Sequence, residues 1–265
     1  MPAFTFPLEV KETILDLLAE DDKGHLALKT CSLVCQAFLP ICRKHIFESI
    51  VLNCDNDQDG IFRPTSPSHA FGRLLRETPE IADYIRKLDY NILAADKTSS
   101  SIQESLKRIS RLEFLSIRYH TWPGLPGLNW RNNPIRPTLL HLLHLPTLTY
   151  FKMMGMNDFI VSDLIPCVNL EYLDIGVYTT VAAETTLHAL PALPENSIKL
   201  NEFVARNRTS TTVMKFCSAR RPDGQPIIDF GSLTKITVAL DNPNEALQEL
   251  FRRCHTLTNA HISCT

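Results

Sequence analysis

The side chains best suited to chemistry crowd into one short stretch: Cys31, Cys35, Cys42 and His45 fall within fifteen residues. Thiolate and imidazole ligands suggest zinc, but structural zinc sites draw ligand pairs from turns, with two to four residues between them. Cys31 and Cys35 instead stand one helical turn apart in an apolar run, and read as small core residues. No basic cluster adjoins them to stabilise a thiolate. His141 and His144 are also one turn apart but have no carboxylate or third ligand near them in sequence, so they read as surface histidines. Asp55, Asp57, Asp59 and Gly60 resemble the opening of a calcium loop, yet Ser66 stands where the closing glutamate belongs. None of the nine glycines lies in a Gly-x-Gly-x-x-Gly or Gly-x-x-x-x-Gly-Lys arrangement that would cradle phosphate. The sequence therefore predicts a protein that is not an enzyme, with no catalytic residue, no metal and no cofactor.

The remaining chemistry is recognition, and it depends on a repeated pattern. The motif apolar-x-x-apolar-x-apolar occurs at Ile85-Leu88-Tyr90, Leu112-Leu115-Ile117, Leu148-Phe151-Met153, Leu170-Leu173-Ile175, Leu200-Phe203-Ala205, Leu233-Ile236-Val238 and Leu257-Ala260-Ile262. Its copies start 27, 36, 22, 30, 33 and 24 residues apart, the spacing of a stacked-repeat architecture. Side chains alternate across a strand, so the residues between the apolar ones must share the opposite face. In register they form two columns. One reads Lys87, Phe114, Tyr150, Tyr172, Glu202, Lys235 and Asn259; the other reads Asp89, Ser116, Lys152, Asp174, Val204, Thr237 and His261.

Phe114, Tyr150 and Tyr172 would then form a continuous aromatic ridge flanked by Lys152 and Asp174. Exposed aromatics are enriched at protein interfaces, so these five residues are the predicted target-binding patch. Packing of the rings on one another or under a loop is the alternative reading. Helical returns are expected at 101–106, where Ser101 and Glu104 would make a capping box, and at 245–251. The loop from Trp122 to Trp130 is expected to cover the sheet edge. Arg206, Arg208, Lys215, Arg220 and Arg221 are expected in solvated loops.

Three short helices are predicted ahead of these repeats. Pro7 and Glu9 suit a helix start, and Val10, Ile14, Leu17 and Leu18 make one apolar stripe behind them. A second helix is expected from about Leu26 to Leu39, with Ala27, Cys31, Val34, Cys35 and Phe38 on one face and Pro40 interrupting it. A third runs from Ile41 to Phe47, and Ser49–Leu52 opens a strand. Fewer than fifty residues in three helices bury little apolar surface, so part of that surface is expected to need a partner or the next domain. The polar stretches 55–60 and 64–68 mark a linker, followed by short helices around 71–75 and 78–85. The predicted organisation is thus 1–52, a linker region 53–84, and a repeat domain 85–265.

The helical segment resembles an F-box of the fungal type. Pro7, Glu9 and Val10, then Ser32, Leu33, Val34, Cys35 and Phe38, match that family's pattern, while Phe6 stands where the family usually has leucine. The resemblance implies docking on a Skp-type adaptor protein, which links to a cullin–RING ubiquitin ligase, with Pro7, Leu8, Val10, Ile14, Leu33 and Val34 as the adaptor contacts. Internal packing of these residues is the alternative. The repeats are similar to the leucine-rich repeat, which implies an α/β fold: an irregular arc of parallel strands backed by helices and turns, with the ridge on its concave face. Most copies lack the asparagine or cysteine that follows the strand in that family.

Composition bounds the partners. The chain has 265 residues, and 27 basic against 29 acidic side chains leave a net charge of −2, which removes the footprint for binding nucleic acid or anionic membrane. No apolar run approaches the ~20 residues of a membrane span. The start lacks the layout of a signal peptide, and eight cysteines in a chain this long read as reduced thiols, so an intracellular protein, cytoplasmic or nuclear, is expected. The chain ends straight after a repeat strand with no closing element, so a frayed last repeat or a shortened chain is expected. The expected role is a non-catalytic substrate adaptor of an SCF-type ubiquitin ligase, holding an unknown protein target. The alternative is an interaction scaffold with no part in ubiquitin transfer.

Overall fold

The computed structural model describes residues 7–21, 24–34, 36–53, 67–119, 127–182, 194, 196–206, 210–241 and 243–264. Three helices come first: α1 (Leu8–Ala19), α2 (Gly24–Val34) and α3 (Leu39–Phe47). Leu15, Leu28, Ile41 and Cys42 form their small shared core, with Leu18, Ala19, Cys31, Phe38 and Ile46 packed around it. Two expectations change here. The side chain that α1 buries is Leu15, which the expected stripe omitted, while Val10, Ile14 and Leu17 of that stripe are exposed. The second helix stops at Val34; Phe38 lies in the following turn, and Pro40 sits in the first turn of α3, where its missing N–H costs nothing.

Strands and helices then follow in chain order: β1 (Ser49–Leu52), α4 (Pro67–Glu77), β2 (Lys87–Asn91), α5 (Ser100–Leu106), β3 (Phe114–Arg118), β4 (Leu128–Asn129), α6 (Arg136–Leu143), β5 (Tyr150–Met154), β6 (Met156–Asn157), β7 (Tyr172–Ile175), β8 (Ile198–Lys199), β9 (Glu202–Ala205), α7 (Ser210–Ser218), β10 (Ile228–Asp229), β11 (Lys235–Leu240), α8 (Pro243–Arg253) and β12 (Asn259–Cys264). Eight of the strands build one sheet in the order β1-β2-β3-β5-β7-β9-β11-β12. Every pair in it is parallel. The fold is therefore α/β around a large parallel sheet, each strand laid beside its predecessor. Of the region 53–84 expected as linker and short helices, residues 54–66 lie outside the described residues; Pro67 and Ser68, expected in the polar loop, instead open α4, with Ser68 buried.

The register follows from alternation and is locked by the backbone. Leu88, Leu115, Phe151, Leu173, Phe203 and Ile236 pair in a row and are buried in one continuous core. Residues of α4 to α8 join the same core, among them Leu75, Leu106, Leu142, Phe216 and Leu250. Just before the strands, one carbonyl accepts two N–H groups of the next repeat at 2.8–3.1 Å. The acceptors are Glu48, Arg86, Glu113, Thr149, Glu171, Asn201 and Thr234. A slip of one residue would break this ladder and turn each apolar row to the other face.

Other expectations are corrected. β1 pairs with β2 in register Ser49↔Lys87, and Leu52 belongs to the large core, so a boundary after residue 52 cuts through the sheet; the helical unit ends at Phe47. The N-cap of α5 is Ser99 with no side-chain cap bond, and Glu104 instead pairs with Lys107 at 3.2 Å. Trp130 is a core residue whose indole N–H donates to Asp163 at 2.7 Å, and the same carboxylate receives Arg136. Trp122 lies outside the described residues. Arg221 is buried and donates to the Pro194 carbonyl, and Lys215 sits on α7, so neither belongs to a solvated loop. Ala260 and Ile262, the inner pair of the last repeat, are exposed because no described element packs beyond β12.

Candidate recognition surfaces

The first surface is formed by exposed apolar side chains of α1 and α2. Leu8, Val10, Ile14, Leu33 and Val34 are between 40% and 88% exposed, and Pro7 is exposed beside them. Leu17 and Leu26 add to this apolar surface. None of these side chains belongs to the core formed by Leu15, Leu28, Ile41 and Cys42. Each aliphatic side chain left in water forgoes about 1.5–3 kcal/mol of burial, which makes the helical pair energetically incomplete as it stands. Cys42 lies in the core, with its thiol pushed up by burial and then by neighbouring Cys31. His45 meets Asp16 at 2.7 Å, which ties α3 to α1. Cys35 lies outside the described residues.

The second surface is the sheet face opposite the large core. Both predicted columns are present residue for residue, from Lys87 to Asn259 and from Asp89 to His261. Phe114 and Tyr150 stack with ring centroids 4.1 Å apart, and Tyr150 and Tyr172 stack at 3.9 Å with their planes within 7°. All three rings are half-buried, so they pack on one another and still present an edge to solvent. Burial, followed by the hydrogen bond to the Tyr172 hydroxyl, pushes the Tyr150 phenol well above its ordinary range.

Alternation carried one step further than the two predicted columns reaches a third, containing Asn91, Arg118 and Met154, with Gly176 and Arg206 just past the ends of β7 and β9. Sequence reasoning did not single out Arg118, and it read Arg206 only as part of a solvated loop. Arg118 makes paired bonds to Asp89 at 2.7 and 3.1 Å and reaches Asn53 at 2.9 Å, so its charge is matched. Asp174 is different. Its side chain is 1% exposed, Lys152 approaches at 3.5 Å and Arg206 at 3.7 Å, and neither carboxylate oxygen has a hydrogen-bond partner. Burial raises the Asp174 pKa, with Arg206 and Lys152 acting against that rise.

No family model and no curated protein matches this chain. Among the described residues no helix is long and apolar enough to cross a membrane. An open groove of about 580 Å³ lies where the strands begin, lined by Glu113, Thr149, Glu171 and Lys199.

Proposed function

We propose that this chain is a substrate-recognition adaptor of an SCF-type ubiquitin ligase. In this reading α1 to α3 form the F-box, and Pro7, Leu8, Val10, Ile14, Leu33 and Val34 bury themselves on a Skp-type adaptor that leads to a cullin–RING ligase. The sheet and its returning helices serve as an irregular leucine-rich-repeat-like domain, whose concave face holds the target through Phe114, Tyr150, Lys152, Tyr172 and Asp174. The adaptor needs no catalytic side chain, because it works by holding target lysines near the loaded conjugating enzyme.

The observation that carries this reading is the set of exposed apolar side chains on α1 and α2, on a unit whose own core is only a few side chains. A handful of such side chains buried together can outweigh association costs. The consecutive parallel strands support the repeat half of the reading, since stacking one strand per repeat is what that architecture requires.

Affinity purification of the full chain tests it. Wild type should recover a Skp-type adaptor together with a cullin, and Leu33→Asp with Val34→Asp should lose both while retaining the wild-type melting temperature, because both residues are exposed. Recovery of the adaptor without any cullin would favour the scaffold reading, and unchanged recovery by the double variant would remove the docking surface.

A further inference from the structure

The Asp174 cluster holds more positive charge than it can use. Lys152 and Arg206 both lean on one buried carboxylate, which leaves a surplus of one positive charge at that spot. Both cations stop short of it, at 3.5 and 3.7 Å, where a charge-assisted bond would be about 2.7–2.9 Å. Their donors are therefore not saturated. Lys152 is about one-third exposed and Arg206 more than half, so those donors are open to a ligand from the solvent side. The other ion pairs of this face differ. Arg118 is held by Asp89 and Asn53, and Lys235 faces Glu202 at 3.9 Å, one cation to one carboxylate in each case.

The surplus sits directly beside an apolar shelf. Asp174 is two residues beyond Tyr172 on β7, and Lys152 is two beyond Tyr150 on β5, so the cations begin where the stacked rings end. Asp174 acts as a tether: its buried charge keeps Lys152 and Arg206 converged, so a ligand need not order them itself. A third cation would meet net repulsion here. An anion would meet two unsaturated donors in a partly desolvated site, with the rings ready to take a neighbouring apolar side chain.

We propose that Lys152 and Arg206, converged by Asp174, bind an anionic side chain of a target segment, whose adjacent apolar side chain lies on the Tyr150–Tyr172 shelf. This rests on the sheet face being the target-binding surface, and narrows the target to an acidic or phosphorylated segment with an aromatic neighbour. The two anion sources share one chemistry and are separated by the test.

Fluorescence anisotropy on the full chain tests it with four labelled ten-residue peptides, each a Gly-Ser frame carrying phenylalanine next to glutamate, phosphoserine, glutamine or lysine. Saturable, salt-weakened binding is expected for the glutamate or the phosphoserine peptide, and whichever binds more tightly names the anion. The glutamine peptide should bind about tenfold more weakly, the loss expected for a charge-assisted contact. Arg206→Ala and Lys152→Gln should each weaken binding of the anionic peptide by about tenfold, while Lys235→Ala should leave it unchanged. Equal binding of the glutamine or lysine peptide, wild-type affinity in Arg206→Ala, or no saturable binding of either anionic peptide up to ~1 mM would overturn the proposal. Adaptor recovery measured on the same preparations separates its failure from failure of the adaptor reading, because none of these substitutions touches α1 or α2.

Discussion

At the scale of single residues, the sheet face is organised by how each carboxylate is matched. Asp89 is held in a fork by Arg118, whereas Asp174 is buried without a hydrogen bond. Burial raises the Asp174 pKa above its unfolded value, and the charged groups facing it are Lys152 and Arg206, with the Tyr150 and Tyr172 hydroxyls near by. A raised carboxyl pKa means that the folded state binds its proton more readily, so stability is gained as pH falls through the folded pKa and lost as pH rises through it. Asp174→Asn removes this gain. The difference in melting temperature between wild type and variant should shift in favour of wild type between pH 7 and pH 4, with contributions from all other carboxylates cancelling in the comparison. A difference that stays constant, or moves the other way, would show that the two cations outweigh burial.

At the scale of elements, strands were more legible than helices, for a geometric reason. A strand has two faces, so one apolar row fixes the other, and parallel pairing then placed Phe114, Tyr150 and Tyr172 side by side. A helix offers a continuous surface, and α1 carries two apolar stripes, one through Val10, Ile14 and Leu17 and one through Leu15 and Leu18. Periodicity could not say which turns inward; contact with Leu28 and Ile41 decides it. β4, β6, β8 and β10 are two residues long, too short for any alternation; β1 carries the motif itself, as Phe47-x-x-Ile50-x-Leu52 in register with Leu88 and Tyr90, so its pairing with β2 is legible in the sequence although the boundary expected after residue 52 ignored it. The capping box failed because Ser99, Ser100 and Ser101 are equivalent on paper and the helix starts from the first.

The stripe assignment gives a direct contrast. Leu15→Ala empties part of a core of few side chains and should cost about 2–5 kcal/mol, whereas exposed Leu17→Ala should stay within about 0.5 kcal/mol. Amide exchange of α1 to α3 in the two variants reads both. Faster exchange in Leu17→Ala than in Leu15→Ala would reverse the assigned faces.

At the scale of the whole molecule, adding parallel strands one after another leaves two sheet edges among the described residues, and the two are treated differently. The β1 edge adjoins the helical unit: α3 leads straight into it, Phe47 and Ile50 pack on the main core, and Arg43 of α3 reaches Glu80 at 3.2 Å. The β12 edge has no such cover among the described residues. Asn259, Ala260, His261, Ile262 and Ser263 include no lysine, arginine, glutamate or proline, the side chains that usually keep an open edge from pairing with another chain. Ile262 is 37% exposed there, although its register partner Val238 is fully buried.

An uncharged edge strand whose core-face side chain Ile262 is left in solvent favours association of one copy with another, strand on strand. Ile262→Lys should suppress it by placing a charge on that edge. Because the residue already stands in solvent, the variant's own stability should change by no more than about 0.5 kcal/mol. Sedimentation velocity at low and high protein concentration distinguishes the outcomes: wild type should show a concentration-dependent rise in sedimentation coefficient that Ile262→Lys removes. A wild type that sediments as a monomer at every concentration would show that twist and side-chain packing alone protect the β12 edge.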